Sequence, residues 1–276
     1  MLIKFTKMHG IGNDFIVIDT ISQSITITPK IAKKLGDRRF GVGCDQILVV
    51  ESPSRPDVDF GYRIFNNDGQ EVEQCGNGAR CFAKFVQNRK LTGKNSLLVE
   101  TKTGIIEIKL KSDGLVQVNM GLPELDPKKI PFITDHQKII YTIPVEKSHL
   151  IISAISMGNP HVVLKVDDIN TASVESIGIT IGRHDLFPKQ ANVGFMQILN
   201  PNEINLRVYE RGSGETLACG SGACAAVVAG QLQGLLESLV TVNLTGGSLL
   251  IEWQGDGHPV MMTGAAASIY SGQINV

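Results

Sequence analysis

Residues 216–236 read TLACGSGACAAVVAGQLQGLL and contain no charged side chain. Within this stretch, residues 223–230 are small and apolar, so a helix formed there is apolar on every face. A helix without a polar face is typical of one that is buried on all sides. Strand-like runs lie on both sides of it along the chain, and we therefore expect a curved sheet to surround this helix.

The phrase that opens this helix occurs twice. Cys219-Gly220-Ser221-Gly222-Ala223 nearly copies Cys75-Gly76-Asn77-Gly78-Ala79, which lies 144 positions earlier. The repeat extends around both copies and pairs Arg63 with Arg207, Ile64 with Val208, Phe65 with Tyr209 and Glu71 with Glu215 at that offset, and Gly12-Asn13 with Gly158-Asn159 and Gln46 with Asn192 at an offset of 146. We infer a duplicated unit that presents one cysteine from each half, with the two thiols facing each other across a cleft. Inversion of configuration at a carbon atom requires two opposed acid/base groups of this kind.

Most of both halves is predicted to be strand, because short apolar runs alternate with turns and many follow a period of two. The predicted strands are Phe15–Asp19, Ile47–Glu51, Tyr62–Phe65, Leu97–Thr101, Ile105–Leu110, Val116–Met120, Leu150–Ser156, His161–Val166, Phe195–Leu199, Asn205–Tyr209, Val240–Leu244 and Ser248–Trp253. Helices are few. Thr28 followed by Pro29 predicts a helix that ends near Gly36, and a second helix should follow Cys75 as far as about Arg89.

A cluster of turn-forming residues predicts the division into domains. Gly121, Pro123 and Pro127 fall close together and place a boundary within residues 120–129. We expect a first domain of residues 1–119, to which a tail of residues 265–276 returns, and a second domain of residues 120–264.

Composition excludes several classes of function. The chain has 276 residues, enough for two ordinary domains, and only 5% are aromatic, so the cores should be aliphatic. A net charge of −1 without a basic patch or charge run argues against nucleic acid and membranes as partners. No apolar stretch approaches a membrane span, and residues 1–5 lack a signal-peptide pattern. The odd number of cysteines, five, fits reduced thiols in a cytoplasm better than a disulfide framework.

The two repeated cysteines are candidates for chemistry. A Cys-Gly-x-Gly turn directly before a helix exposes successive backbone N–H groups at the helix N-terminus. These donors and the helix dipole favour a thiolate and a substrate carboxylate at the same place. Lowering the pKa of a thiol from roughly 8.5 to about 7 requires about 2 kcal/mol, which a partly buried helix terminus can supply.

The other three cysteines and one glycine-containing fragment are not predicted to have a function in catalysis or binding. Most free cysteines are buried small hydrophobes, and we assign Cys44, Cys81 and Cys224 to that class. A zinc site is not favoured, because neither close cysteine pair shares one helix face or has a histidine nearby. The fragment Gly10-Ile11-Gly12 is too short to indicate a dinucleotide site.

Several longer motifs carry a resemblance to a known family. They are Lys7-Met8-His9-Gly10-Ile11-Gly12-Asn13-Asp14-Phe15, Asn66-Asn67-Asp68-Gly69-Gln70-Glu71-Val72-Glu73-Gln74-Cys75-Gly76-Asn77-Gly78-Ala79-Arg80, Met157-Gly158-Asn159-Pro160-His161, Tyr209-Glu210-Arg211-Gly212 and Glu215-Thr216-Leu217-Ala218-Cys219-Gly220-Ser221-Gly222. In this order and spacing they resemble the diaminopimelate epimerase family. One departure is Gln70, where that family usually carries serine.

The resemblance implies a cofactor-independent isomerase that converts LL-2,6-diaminopimelate to the meso form, a step of lysine and peptidoglycan synthesis. It implies an α/β (α+β) fold of two pseudo-symmetric domains, each a curved, mostly antiparallel sheet wrapped around a central helix. It also implies a homodimer, with Tyr270 in the dimer-contact region, and no metal.

In the implied mechanism one cysteine is a thiolate that removes the α-proton, and the other is a thiol that protonates the opposite face. The resemblance makes Cys75 the donor and Cys219 the acceptor for LL to meso, although near-equivalent loops do not determine that polarity. It places His161 and Glu210 where they influence the thiol protons, and Arg211 at the distal carboxylate. The remaining substrate-binding groups are the backbone amides of Gly76, Asn77, Gly220 and Ser221 and the neutral side chains of Asn13, Gln46, Asn66, Asn159 and Asn192.

Two other functions stay open at this stage. A proline or hydroxyproline racemase would use the same two thiols but would not need Arg211 for a distal carboxylate. A non-catalytic thiol redox protein would keep useful function with only one of the two cysteines.

Overall fold

The computed structural model describes residues 1–73, 75–145 and 148–276. The chain divides into two compact units: unit 1 comprises residues 1–119 and 263–276, and unit 2 comprises residues 120–262. Within the described ranges, no helix is both long enough and apolar enough to cross a membrane.

The described residues form eighteen strands and four helices. The strands are β1 Leu2–Gly10, β2 Asn13–Asp19, β3 Gln46–Glu51, β4 Phe60–Asn66, β5 Glu71–Val72, β6 Ser96–Thr101, β7 Gly104–Leu110, β8 Val116–Asn119, β9 Tyr141–Val145, β10 Ser148–Ser156, β11 Pro160–Lys165, β12 Asn192–Asn200, β13 Glu203–Glu210, β14 Gly214–Thr216, β15 Leu239–Leu244, β16 Gly247–Glu252, β17 Met261–Gly264 and β18 Ala267–Asn275. The helices are α1 Pro29–Gly36, α2 Gly76–Asn88, α3 Val174–Gly182 and α4 Gly220–Leu232.

In unit 1 the sheet is mixed, with antiparallel pairs in the majority. The hairpin β1–β2 is followed by α1, which crosses over so that β3 lies parallel to β2. Strand β4 then pairs antiparallel with β3 and with the short β5. Helix α2 crosses over to place β6 parallel to β4, and β7 and β8 continue antiparallel. The C-terminal strand β18 pairs antiparallel with β1.

Unit 2 has the same internal connectivity. Strands β10 to β16 follow the pairing pattern of β1 to β7, with parallel pairs β11–β12 and β13–β15 and antiparallel pairs elsewhere. Helix α3 occupies the crossover that α1 occupies in unit 1, and α4 corresponds to α2. Strand β9 pairs antiparallel with residues 148–152 of β10.

Each unit has one central helix. Residues 222–230 of α4 are all buried, and the helix packs against β10, β11, β12, β13 and β16. Helix α2 packs in the same way against strands of unit 1, including β1, β2, β3, β7 and β8. The prediction of a buried helix surrounded by sheet is confirmed for α4, because a helix without a polar face has no stable position at the surface.

Local signals predicted most elements but missed several. Helix α1 begins at Pro29 with Thr28 as its N-cap, since the Thr28 hydroxyl accepts a hydrogen bond from the Ile31 amide at 3.3 Å. All twelve predicted strands exist, with shifted ends. Helix α3 was not predicted, because its β-branched sequence, VESIGITIG, gives no helical period. Strands β1 and β18 were not predicted either, and they are paired with each other across most of the chain length.

Candidate active site

The two repeated cysteines occupy equivalent places, one in each unit. Cys75 is the N-cap of α2, with extended backbone angles (φ −146°, ψ 108°), and Cys219 is the N-cap of α4, with nearly the same angles (φ −120°, ψ 105°). The Cys75 Sγ accepts a hydrogen bond from the Gly78 amide at 3.3 Å. Each thiol therefore lies at the positive end of a helix dipole.

Glycine at the third position of each helix lets the start of the helix lie close against a neighbouring strand. A Cβ added to Gly78 would lie 2.5 Å from the Tyr62 hydroxyl oxygen, so no larger residue fits unless Tyr62 moves. At the equivalent Gly222 a Cβ would meet Val208 at 3.1 Å and the Cys219 Sγ at 3.2 Å. The helix starts thus pack directly onto strands β4 and β13.

In unit 1, the predicted polar residues Asn13 and Asn77 lie beside Cys75, and Gln46 and Asn66 bond to each other. The Asn13 Oδ1 lies 3.8 Å from the Cys75 Sγ and accepts a bond from the Asn77 Nδ2 at 3.4 Å. The Gln46 side chain donates to the Asn66 Oδ1 at 2.9 Å across the β3–β4 pair. The Gln46 Oε1 is buried, and among the described residues no donor reaches it. Asn13 and Asn77 thus place neutral polar groups beside the Cys75 thiol.

A cluster of charged side chains lies behind Asn13. The Asp45 carboxylate accepts a bond from the Asn13 Nδ2 at 2.9 Å and from the Arg38 guanidinium at 2.8 Å. Arg38 also forms a two-point ion pair with Asp14, and the Lys7 ammonium is a further partner of Asp14. Burial alone would raise the pKa of Asp14, but the hydrogen bonds from Arg38 and Lys7 outweigh it and hold that pKa well below its usual value.

Arg80 supports the first turn of α2 from inside unit 1. Its side chain is fully buried, and it donates to the Asn77 Oδ1 at 3.0 Å and to the Ala265 carbonyl at 3.2 Å. Arg80 therefore ties the helix start to the C-terminal segment of the same unit. Burial raises the pKa of Cys81 to about 12, as it does for Cys44, which fits the packing role predicted for both.

In unit 2, Cys219 is more buried than Cys75 and adjoins a carboxylate. Burial first, and then the negative charge of Glu210, raise the pKa of Cys219 well above its ordinary value. The Gly222 amide and the Ser221 hydroxyl, whose oxygen lies 3.7 Å from the sulfur, act in the opposite direction. The Thr216 hydroxyl donates to Glu210. On balance these surroundings favour the protonated thiol of Cys219.

His161 is buried and neutral. Burial, with a smaller effect of the Arg211 charge, lowers the pKa of His161 to about 3. Its Nε2 lies 3.0 Å from the Asn159 Oδ1, which can only accept, so the hydrogen of the neutral ring is on Nε2. The Nδ1 is then an acceptor, and no donor within the described ranges reaches it.

The strand end that carries Arg211 borders an open cavity. The Asn192 side chain accepts a bond from the Arg211 amide at 2.8 Å, and the Arg211 guanidinium donates to the Lys189 carbonyl at 2.7 Å. A cavity of about 310 Å³ in unit 2 is lined by Arg211, Arg183 and Gln190, among others. Its lining is polar and cationic, which suits an anionic ligand group.

Tyr270 lies on β18 of unit 1, paired in register with Lys7 of β1. It is half exposed, and its ring meets the Phe5 ring edge-on at 6.1 Å. Among the described residues, no group of three or more histidine, cysteine or acidic side chains could hold a metal ion.

Sequence reasoning missed three residues that support the site, namely Asp45, Tyr62 and Arg80. Asp45 adjoins the predicted Gln46, but an aspartate near a turn reads as ordinary turn chemistry. Arg80 had one available signal: it is a charged residue inside a helix whose other central positions are apolar. Tyr62 gave no signal, because its role depends on the packing of Gly78.

The duplicated unit with a cysteine-capped central helix defines a class of protein by its fold. The structure is similar to a hydroxyproline epimerase from Agrobacterium vitis (TM-score 0.73, 12% identity, 99% of this chain and 92% of that one). It is also similar to a phenazine biosynthesis protein from Bacillus anthracis (TM-score 0.72, 16% identity, all of both chains). At these identities the likeness concerns the fold alone.

Sequence comparison is far more specific. Proteins named diaminopimelate epimerase from Teredinibacter turnerae and Pseudomonas aeruginosa are 55% and 56% identical over 276 residues, the whole of each chain. The family profile for diaminopimelate epimerase matches residues 5–125 and 153–269. The chain belongs to the diaminopimelate epimerase family, and the predicted resemblance and fold class are confirmed.

Proposed function

We propose that this chain is an isomerase that interconverts LL- and meso-2,6-diaminopimelate without a cofactor. Relatives that share more than half of its residues over the full length carry that enzyme's name. The observation that carries the chemistry is the cysteine N-cap repeated at the equivalent position of both units. Removal of the α-hydrogen builds negative charge on the substrate carboxylate, and helix N-termini can stabilise that charge.

Each cysteine serves one face of the α-carbon. A thiolate removes the α-proton, and the other cysteine, as a thiol, returns a proton to the opposite face. For LL to meso, Cys75 is the donor and Cys219 the acceptor, and the roles exchange in reverse. The high pKa of Cys219 means that it becomes a base only when bound substrate changes its surroundings, since the positive substrate ammonium can offset the Glu210 charge.

The substrate is a zwitterion with two amino-acid ends. The first-turn amides of α2 and α4, from Gly76, Asn77, Gly220 and Ser221, bind the reacting carboxylate. Arg211 binds the distal carboxylate, and its place beside a cationic cavity supports this role. The side-chain amides of Asn13, Gln46, Asn66, Asn159 and Asn192 orient the ligand without adding charge.

Glu210 and His161 control the protons on the thiols. Glu210 accepts a hydrogen bond from the substrate ammonium and raises the pKa of Cys219 while the site is empty. A neutral His161, whose Nδ1 is an acceptor, can receive a hydrogen bond without adding a positive charge.

We also propose an oligomeric state, a location and a domain division for the enzyme. The enzyme is a cytoplasmic homodimer whose contact includes Tyr270, and it serves lysine and peptidoglycan synthesis. Its functional halves are residues 1–119 with 265–276, carrying Cys75, and residues 120–264, carrying Cys219. Sedimentation of the wild type and of Tyr270→Ala tests the dimer, since a monomeric wild type would contradict it.

The decisive test is exchange of the α-hydrogen in heavy water. Wild type should incorporate deuterium from both LL- and meso-diaminopimelate, whereas Cys75→Ala and Cys219→Ala should lose at least 1,000-fold in epimerisation, a scale typical of removing an acid/base group. Cys44→Ala is the matched control, because Cys44 is a buried thiol assigned to packing. Absence of exchange with wild type would remove the epimerase proposal.

A substrate panel separates the related racemases. The proposal predicts turnover of diaminopimelate and none of L-proline or 4-hydroxy-L-proline, because those ligands leave Arg211 without a carboxylate. Turnover of proline alone would reject the substrate assignment while leaving the two-thiol chemistry in place.

A further inference from the structure

We propose that Asp45 is a positioning residue that orients the Asn13 amide so that its carbonyl oxygen faces Cys75 and favours the protonated thiol. This inference rests on the two-cysteine function proposed above. It assigns a role to a residue outside the predicted site, and it identifies what sets the orientation of the amide beside Cys75.

Asp45 orients the side-chain amide of Asn13. The Asp45 Oδ2 lies 2.9 Å from the Asn13 Nδ2 and 3.0 Å from the Asp14 amide nitrogen. An ionised carboxylate can only accept hydrogen bonds, so the NH₂ group of Asn13 must face Asp45. The carbonyl oxygen of Asn13 then faces the Cys75 Sγ, 3.8 Å away. The Asn77 side chain agrees with this orientation, since its NH₂ group donates to the same oxygen at 3.4 Å.

The carbonyl oxygen of Asn13 affects the protonation of the Cys75 thiol. A carbonyl oxygen beside sulfur can bond an S–H group but not a thiolate, and a hydrogen bond to the neutral form favours that form. Asn13 in this orientation therefore favours the thiol of Cys75, whereas the Gly78 amide and the helix dipole favour the thiolate. If the amide turned over, its NH₂ group would point at the sulfur and favour the thiolate instead.

Asp45 is itself held in place by hydrogen bonds with Arg38 and Asp14. Its Oδ1 accepts a bond from Arg38 at 2.8 Å, and its backbone amide donates to the Asp14 Oδ1 at 2.9 Å. Arg38 and Lys7 both pair with Asp14. Arg38 and Asp14 therefore hold the Asp45 carboxylate in place. The carboxylate in turn holds the Asn13 amide in one orientation.

Unit 2 lacks this device. At the offset of 146 residues, the position of Asp45 corresponds to Ala191, and the Asn159 oxygen bonds the ring of His161 instead. The two equivalent asparagine oxygens therefore have different neighbours: the Cys75 sulfur in unit 1 and the His161 ring in unit 2.

Two other titratable groups in unit 1 that act on Cys75 do not compete near neutral pH. They are Tyr62 on β4 and Cys81 on α2. Burial raises the pKa of Tyr62 well above its usual value and that of Cys81 to about 12, so both stay neutral. Near Asp45, the hydrogen bond with Asp14 raises the pKa of Arg38, so Arg38 keeps its charge.

The test is the pH dependence of iodoacetamide alkylation at Cys75, read by peptide mass spectrometry. In Asp45→Asn, the new amide can donate to Asn13, which turns over and presents its NH₂ group to the sulfur. We expect alkylation of Cys75 at pH 7 to become about tenfold faster and the whole curve to move to lower pH. The matched control is Asp59→Asn, a carboxylate of unit 1 whose partners are Lys94 and the Leu98 amide, and its curve should match wild type.

A double-mutant cycle separates orientation from loss of charge. If Asp45 acts through the Asn13 amide, Asp45→Asn should shift the curve in wild type but hardly at all in an Asn13→Ala background. An equal shift in both backgrounds, or none in either, would overturn the inference. Asp45→Ala, which also frees Asn13, serves if Asp45→Asn does not fold. Because alkylation needs no turnover, a shifted curve in an inactive protein would count against the proposed function alone.

Discussion

Replacing Gly78 by alanine should destabilise unit 1, although alanine is normally the better helix residue. The new methyl group would lie 2.5 Å from the Tyr62 hydroxyl oxygen and 3.1 Å from a Leu48 methyl carbon. Tyr62 cannot easily retreat, because it is buried and its ring lies 4.7 Å from the Phe82 ring, centroid to centroid. Overpacking costs about 1–3 kcal/mol, and a contact of 2.5 Å with a buried side chain belongs at the upper end of that range. The helix propensity of alanine returns at most about 1 kcal/mol. We expect a net loss of about 2 kcal/mol in the free energy of unfolding.

The assay must distinguish the two units. The single tryptophan, Trp253, belongs to unit 2, so its fluorescence during urea denaturation reports that unit. Hydrogen exchange of peptides from residues 76–88 reports α2 directly. Gly78→Ala should speed exchange in α2 about 30-fold, which corresponds to about 2 kcal/mol, and should leave the fluorescence transition nearly unchanged.

Two further variants make the reasoning refutable. Tyr62→Phe removes the clashing oxygen, which has no hydrogen-bond partner among the described residues, and should restore at least half of the loss caused by Gly78→Ala. Gly222→Ala, at the equivalent position of unit 2, meets only contacts of 3.1–3.3 Å and should change stability by less than about 1 kcal/mol. A Gly78→Ala protein as stable as wild type, or one that Tyr62→Phe does not rescue, would refute the argument.

Three other outcomes follow from single contacts. Glu210→Gln removes a charge that, after burial, raises the pKa of Cys219, so the alkylation curve of Cys219 should move to lower pH; an unchanged curve would contradict this. Tyr141→Phe should lower the free energy of unfolding by about 1 kcal/mol in urea denaturation, because it removes the acceptor of the Lys138 amide at 2.9 Å, and a neutral effect would count against that bond. The pKa of Asp14 is lowered on folding, so its stabilisation is complete above the unfolded value of about 3.9 and is lost as the pH falls further. Asp14→Asn should therefore lose less stability than wild type below pH 4, as thermal unfolding across pH can check.

Much of the fold was accessible from local patterns. The uncharged stretch of residues 216–236 predicted a buried helix, and α4 is one. Thr28 and Pro29 marked the start of α1 because capping depends on neighbours within one turn. The period of two located twelve strands, but not β1, whose pairing with β18 joins the two ends of the chain. Helix α3 escaped because its β-branched residues favour strand locally, and only packing against Tyr209 at Gly178 overrides that preference.

In the candidate site, too, local patterns predicted some features and long-range contacts decided the others. The cysteine phrase and its repeat, read from the sequence, predicted two helix-capping thiols, and the structure confirms both caps. The roles of the individual side chains stay proposals, but their surroundings are now visible. Asn13 and Asp45 are 32 residues apart in the chain, and Arg80 and Ala265 are 185 apart. No local pattern links such pairs.

Sequence alone determined what kind of elements form, where two equivalent cysteines stand and which family the chain belongs to, because these depend on residue identity and short-range spacing. Tertiary structure decided that Arg80 and His161 are buried, that the surroundings of Cys219 favour its protonated thiol, and which end of the Asn13 amide meets Cys75. The physical reason is that burial and hydrogen-bond direction set protonation, and both arise only when distant segments pack together.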